Sequence, residues 1–225
     1  MWREGLPQGK RLESAAQAKF ATWASFLDPD FAHTRRVARL AAQLFAGLRR
    51  AGLPEIPQEP HARKLLRAAG VMHDVGHAAG KKGHHKMSYN MIRGLTPPPG
   101  WTAEEMEMAA LAARYHRGKS PREQHLGFAL LALPQRQAVT FLAGILRLAE
   151  ALDAGHTGAV ERLEVTATAE LVVIQADGIV EDEAQAAFVA MRRLLLESVC
   201  KRPVVIRARK DAGATIAPMG TAGGR

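Results

Sequence analysis

The chain of 225 residues is long enough to bury a core, and at 47% hydrophobic and 24% charged it has the composition of an ordinary globular protein. Its one cysteine, Cys200, excludes an internal disulfide framework and fits a reducing compartment. No apolar run approaches the ~18 residues of a membrane span and MWREGLPQGK has no signal-peptide core, so a cytoplasmic protein is expected, while a net charge of +9 suits either an anionic partner or a solvated basic surface.

Residues 11–27 set Leu12, Ala16, Phe20, Trp23 and Leu27 at steps of three and four, which predicts an amphipathic helix. In the next segment Asp28 and Asp30 can cap a helix that carries His33, Val37, Leu40, Leu44 and Leu48 on one face and ends at Gly52. LPEIPQEP is a proline-punctuated connection. From His61 a third helix runs through Leu65, Ala69 and Met72 to His73 and stops near Gly76. AAGKKGHH reads as a loop, followed by a helix to about Gly94 and a rigid turn at LTPPPGW. Thr102 and Glu105 have the spacing of a capping box and open a helix to about His116. RGKSP breaks the pattern, and two more helices are expected over 121–132 and 135–153.

The character then changes. AVERLEVTATAELVVIQADGIV is rich in valine, isoleucine and threonine and predicts two short strands. EDEAQAAFVAMRRLLLESVC predicts a helix and PVVIRAR a third strand. The fold class expected is mainly α: a helical bundle over residues 1–158, a small α/β appendage over 159–210, and a disordered tail over 211–225. Strand edges in the appendage would suit a homodimer.

Several helices aim a polar, metal-competent side chain at the core. His33 shares a stripe with Val37 and Leu40; His73 follows Ala69 by four; Asp153 follows Leu142, Leu146 and Ala149, with Glu150 one turn before it. His84, His85 and His116 complete the set. Any one of these alone reads as a hydrogen-bonded core histidine or a helix cap. Together they are costly to bury unless paired or bound to a cation, and imidazole with carboxylate suits Mn, Fe, Zn, Ni or Mg alike. Adjacent residues on a helix point about 100° apart, so His73 and Asp74 serve one site only if the helix ends there, beside Gly76.

These residues carry a resemblance. The order of histidine, His-Asp dyad and late carboxylate across helices resembles the HD-domain metal-dependent phosphohydrolases. More narrowly, AHTRRVARLAAQLFAGL, LLRAAGVMHDVGHAAGKKGHHKMSYNMIRG, ARYHRGKSP and FLAGILRLAEALDAG are similar, in order and spacing, to the C-terminal HD region of the exopolyphosphatase and guanosine pentaphosphate phosphohydrolase family. The resemblance runs from about Arg11 to Val205. Nothing in the chain resembles that family's N-terminal actin-like half, which carries polyphosphate hydrolysis, so that activity is not transferred.

The resemblance implies a divalent metal ion held by His33, His73 and Asp74. Glu150 stands in the context LAE where HD domains have LAD, and Asp153 is the alternative final ligand. Met87 stands where relatives usually carry a histidine for a second ion, which favours a mononuclear site unless His84 or His85 substitutes; His116 matches another histidine of the binuclear pattern or binds substrate phosphate. The implied activity is hydrolysis of a nucleotide or another phosphate ester or anhydride. Asp74 would orient water, His77 would orient water or act as general acid, and Lys81, Lys82, Arg117 and Lys119 are candidates for substrate phosphate. The alternative is a regulatory module that binds metal, nucleotide or polyphosphate without turnover. A nucleic-acid-binding role rests on net charge alone and lacks a motif or aromatic platform.

Overall fold

A computed structural model describes residues 9–179 and 183–209. Helices α1 (Gly9–Leu27), α2 (Phe31–Arg50) and α3 (Ala62–Met72) are followed by a 3-10 helix (Val75–Ala79), then α4 (His84–Arg93), α5 (Ala103–Arg114), α6 (Leu126–Ala129) and α7 (Leu133–Leu152). Strands β1 (Leu163–Ala167) and β2 (Val172–Ala176), helix α8 (Glu183–Cys200) and strand β3 (Val204–Ala208) complete the described chain. The protein is mainly α with a small α/β appendage, as its sequence predicts. The expected tail, residues 211–225, lies outside the described residues, and no described helix is long and apolar enough to cross a membrane.

Local chemistry sets the boundaries. Asp30 accepts the backbone N–H of His33 at 3.1 Å and starts α2; Gly52, with φ of 67°, lies past its end. The Thr102 hydroxyl accepts the Glu105 N–H while the Glu105 carboxylate accepts that of Thr102, the capping box that opens α5. Two expectations need correction. The helix foreseen over 121–132 is the single turn α6, because Pro121 and a turn at 122–125 precede it and, of its four residues, only Phe128 buries; Leu126 and Leu130 are exposed. The loop AAGKKGHH is shorter than expected: Ala78 and Ala79 end the 3-10 helix, and His84 and His85 already belong to α4.

Helix α7 is the centre of the molecule. It is buried on all sides from Phe141 to Leu152, and apart from Arg147 and Glu150 that stretch is apolar or glycine. On one flank α8 packs across Gly144, where a β-carbon would come within 3.1 Å of the Leu196 backbone. The sheet has order β1-β2-β3, with β1 antiparallel to β2 (Leu163 opposite Ala176) and β2 parallel to β3 (Val172 opposite Val204). Gln43 of α2 pins the start of β1, accepting the Leu163 N–H at 2.8 Å and donating to the Glu161 carbonyl. One hydrophobic core therefore runs through both the bundle and the appendage.

Candidate metal centre

Five helix ends meet at one place: the start of α2 with His33, the end of α3 with His73 and Asp74, the start of α4 with His84, the residue after the α5 cap with His116, and the end of α7 with Glu150 and Asp153. All seven side chains are buried. The adjacent His-Asp pair converges because α3 stops at Met72 and the chain tightens into the 3-10 helix. Gly76 permits this: a β-carbon there would collide with the His84 carbonyl and the Ser88 N–H, so only glycine lets α4 approach the pair.

The proton positions follow from the partners. The Nδ1 atoms of His73, His84 and His116 face the carbonyls of Gly70, Lys81 and Ala113, each three residues earlier, at 2.8, 3.0 and 2.6 Å. A carbonyl only accepts, so Nδ1 carries the proton and Nε2 is left with a lone pair turned to the centre. His33 does the same with a carboxylate, donating Nδ1–H to Asp153 at 2.7 Å. Around the resulting space, Glu150 Oε2 lies 3.2 Å from His33 Nε2 and 3.3 Å from His73 Nε2. Asp74 Oδ1 lies 3.3 Å from His84 Nε2 and 3.6 Å from His116 Nε2, and Asp74 Oδ2 is 3.6 Å from both His73 and His77.

Charge follows the same geometry. Burial disfavours the imidazolium of His33, but Glu150 and Asp153 outweigh it and raise its pKa. For His73, burial is again outweighed, by Asp74 and Glu150, and the pKa rises to about 9. Glu150 is buried too, yet its bonds to His33 and His73 hold it well below the ordinary carboxylate value. Asp74 is likewise lowered against burial by His73, His116 and His84.

The residues fit a divalent cation. Potential ligand atoms of His33, His73, Asp74 and Glu150 all lie within 4.8 Å of one another, and those of Asp74, His77 and His84 form a second such group. His73 Nε2 and Asp74 Oδ1 are buried without a hydrogen-bond partner, the state of atoms whose partner is a cation. Across the centre, His84 Nε2 and His116 Nε2 stand 3.4 Å apart with both Nδ1 protons committed elsewhere, so two lone pairs oppose unless a proton or cation lies between them. Each ring is already fixed by its outer hydrogen bond, as in metal sites generally.

The sequence-based candidates divide cleanly. His33, His73, Asp74, Glu150, His77, His84 and His116 are together. Asp153 stands behind His33, and its oxygens are occupied by His33, by Arg36 Nε at 2.8 Å and by the Gly158 N–H at 2.9 Å. Met87 is exposed, and His84 lies in the cluster instead. Lys81 and Arg117 line an adjoining cleft of about 630 Å³; Lys82 and Lys119 are exposed and do not. Four residues escaped sequence reasoning. Arg36, three positions after His33 on α2, was discoverable from helical spacing. His156, stacked on His33 with centroids 3.8 Å apart, and Arg147 and Arg192 of the cleft left no signal.

A helical bundle whose helix ends converge on buried imidazoles and carboxylates defines a class of domain suited to hold divalent cations. Within that class, the family model described as Ppx/GppA phosphatase, domain III, matches residues 19–190, and the chain belongs to that family. Comparison with curated proteins finds no match.

Proposed function

We propose that the protein is a metal-dependent phosphohydrolase of the HD type, acting on a nucleotide or another phosphate ester or anhydride. The observation that carries this reading is the pair of metal-competent groups that share Asp74, with buried lone pairs on His73 and Asp74 that no protein group satisfies. His33, His73, Asp74 and Glu150 would hold one ion; Asp74, His84 and His116 a second, with His77 beside them. Bound there, divalent ions supply Lewis acidity toward a phosphoryl oxygen and toward water.

The chain's own groups do the rest. Asp153 keeps His33 in the Nδ1–H tautomer, and Arg36 holds Asp153 in place. Asp74 orients the attacking water. His77, partly exposed at the edge of the cleft, holds that water or protonates the leaving group. Lys81 and Arg117 offset charge on the phosphoryl group.

A second reading is a regulatory module that binds metal or phosphate without turnover. It is favoured by one observation: the matching family model is that of domain III of the phosphatase.

Elemental analysis decides first. After reconstitution with Mn, Fe, Zn, Ni or Mg, the protein is expected to hold about two ions per chain, with both lost in Asp74→Ala and the first lost in His73→Ala. Hydrolysis of nucleotide and phosphate-ester substrates should disappear with them. A protein that takes up no metal, or one whose hydrolysis survives both substitutions, overturns the proposal; metal without hydrolysis selects the regulatory reading.

A further inference from the structure

His33 has partners on its edges and on its face. Within the plane of the ring, Nδ1 donates to Asp153 Oδ2 at 2.7 Å and Nε2 faces Glu150 Oε2 at 3.2 Å. Contacts at the two ring nitrogens fix the line that joins them and leave the ring free to rock about that line. The face is covered by a second imidazole: His156 lies parallel to His33, with centroids 3.8 Å apart and planes 11° from one another. His33 is buried, whereas the His156 side chain is half exposed and belongs to neither metal-competent group. His156 therefore covers His33 without being placed to ligate.

His156 holds that place against a backbone penalty. Its φ of 56° is left-handed, a conformation few residues other than glycine adopt and one that persists where several contacts impose it. Three do so here. The His156 N–H donates to the Asp153 carbonyl at 2.8 Å, its carbonyl accepts Arg36 Nη2 at 2.8 Å, and its Nδ1–H donates to Asp30 Oδ2 at 2.7 Å. Each of these partners also serves His33. Asp153 takes its Nδ1–H, Arg36 Nε holds the Asp153 carboxylate at 2.8 Å, and Asp30 Oδ1 accepts the His33 backbone N–H at 3.1 Å. Residues 153–158 thus wrap one imidazole from edge to face, and the side chains that fasten the wrap, Asp30 and Arg36, stand at the start of α2.

We propose that His156 is a positioning residue for the metal centre: its ring, stacked on His33, arrests the rocking that the in-plane contacts leave free and keeps the His33 Nε2 lone pair turned to the space shared with His73, Asp74 and Glu150. The inference deepens the metal-dependent reading of the centre and rests on it. It also accounts for the left-handed backbone at this position, which is maintained because it presents a ring face to His33. The rings of the second group, His84 and His116, stack on each other instead, so the ion they would hold is independent of His156.

The test titrates the metal-free full chain with Co(II), following the heat and the visible ligand-field bands, which respond to coordination geometry. Two substitutions separate the ring from its fastening, and at a half-exposed side chain neither empties the core. Asparagine accepts a left-handed backbone and can still donate to Asp30, but it has no ring face. Phenylalanine keeps the face, loses the Asp30 bond and suits that backbone less well. Positioning by the stack predicts that His156→Asn weakens the first ion by about tenfold and shifts its bands, while His156→Phe stays within about threefold of wild type. The second ion should be held as before in both. A role confined to fastening the turn predicts the opposite order, with the asparagine variant intact and the phenylalanine variant impaired. That order, equal affinity in all three proteins, an equal loss in the two variants, or a parallel loss of both ions overturns the proposal. The two readings fail separately. Co(II) binding indifferent to the residue at position 156 removes this inference alone, and a chain that binds no Co(II) removes it together with the phosphohydrolase. Ring-dependent binding without hydrolysis keeps it and selects the regulatory module.

Discussion

His73 and His116 sit on opposite sides of the centre and are built alike: both are fully buried, and each donates Nδ1–H to the carbonyl three residues before it. Their rings stand edge to face with centroids 4.8 Å apart. Their acid–base character is nevertheless opposite. Burial penalises the charged form of both, but the Asp74 and Glu150 carboxylates carry His73 up to about 9, whereas burial and the adjacent His73 charge take His116 down to about 3. The difference lies in the neighbours. On the His73 side a carboxylate faces every imidazole, so protons can occupy the place of a cation and hold the metal-free chain together. On the His116 side imidazole faces imidazole across 3.4 Å, with Asp74 as the nearest carboxylate, and cohesion there depends on an ion.

Removing His116 breaks the comparison most severely. His116→Ala should cost the second ion, keep the first at about one per chain, and lower hydrolysis by about a hundredfold or more. Metal analysis with steady-state kinetics reads both quantities, and two ions retained would place His116 outside the site. A smaller effect sharpens the carboxylate side. Asp153 touches His33 from behind while Glu150 faces the space between the imidazoles, so Asp153→Asn should weaken metal binding by about tenfold and leave the saturated stoichiometry intact. Glu150→Gln should remove the first ion outright. Equal losses in the two variants would mean that Asp153 ligates as well, and metal titration followed by competition with a chelator separates these outcomes.

The helices and strands of this protein are legible because each carries a period, a cap or a breaker: the His33 stripe of α2, the Thr102–Glu105 box, and the switch to valine and isoleucine at β1. The one expected helix that shrinks, over 121–132, buries only Phe128 and Leu131 at its end, and a segment so little buried before that point holds no longer helix in place. The centre was legible as a set of residue types on inward faces. What the sequence withholds is which atom meets which. Glu150 and Asp153 lie on neighbouring tracks of one helix, and only the approach of α2 decides that one carboxylate takes His33 Nε2 and the other Nδ1. His156 and Arg192 come from segments whose packing against the centre is entirely tertiary, so no local pattern announces them. Met87 shows the converse: a position singled out by resemblance faces solvent, while His84, three residues before it on the same helix, faces inward.

An ordinary buried-edge ion pair, remote from the centre, supplies the baseline against which the cluster's behaviour stands out. Glu105 accepts Lys64 Nζ at 2.7 Å and the Thr102 N–H at 2.8 Å. Burial alone would raise its pKa; the Lys64 and Thr102 bonds outweigh burial and set it below the ordinary value of 4.5. A carboxylate depressed in the folded state contributes stability that is complete above its unfolded pKa and disappears as pH falls through the folded one. Glutamine can still close the capping box, so Glu105→Gln removes the charge and leaves the cap. The variant should therefore be less stable by about 1 kcal/mol at pH 7, and the difference should shrink below pH 4.5 until it vanishes beneath the folded pKa. Urea unfolding of both proteins at pH 7 and pH 3, with metal removed by chelator, measures it, because titration of the cluster is common to the pair and cancels. A difference that persists at pH 3 would assign the effect to packing around Lys64 and Trp101 instead of to charge.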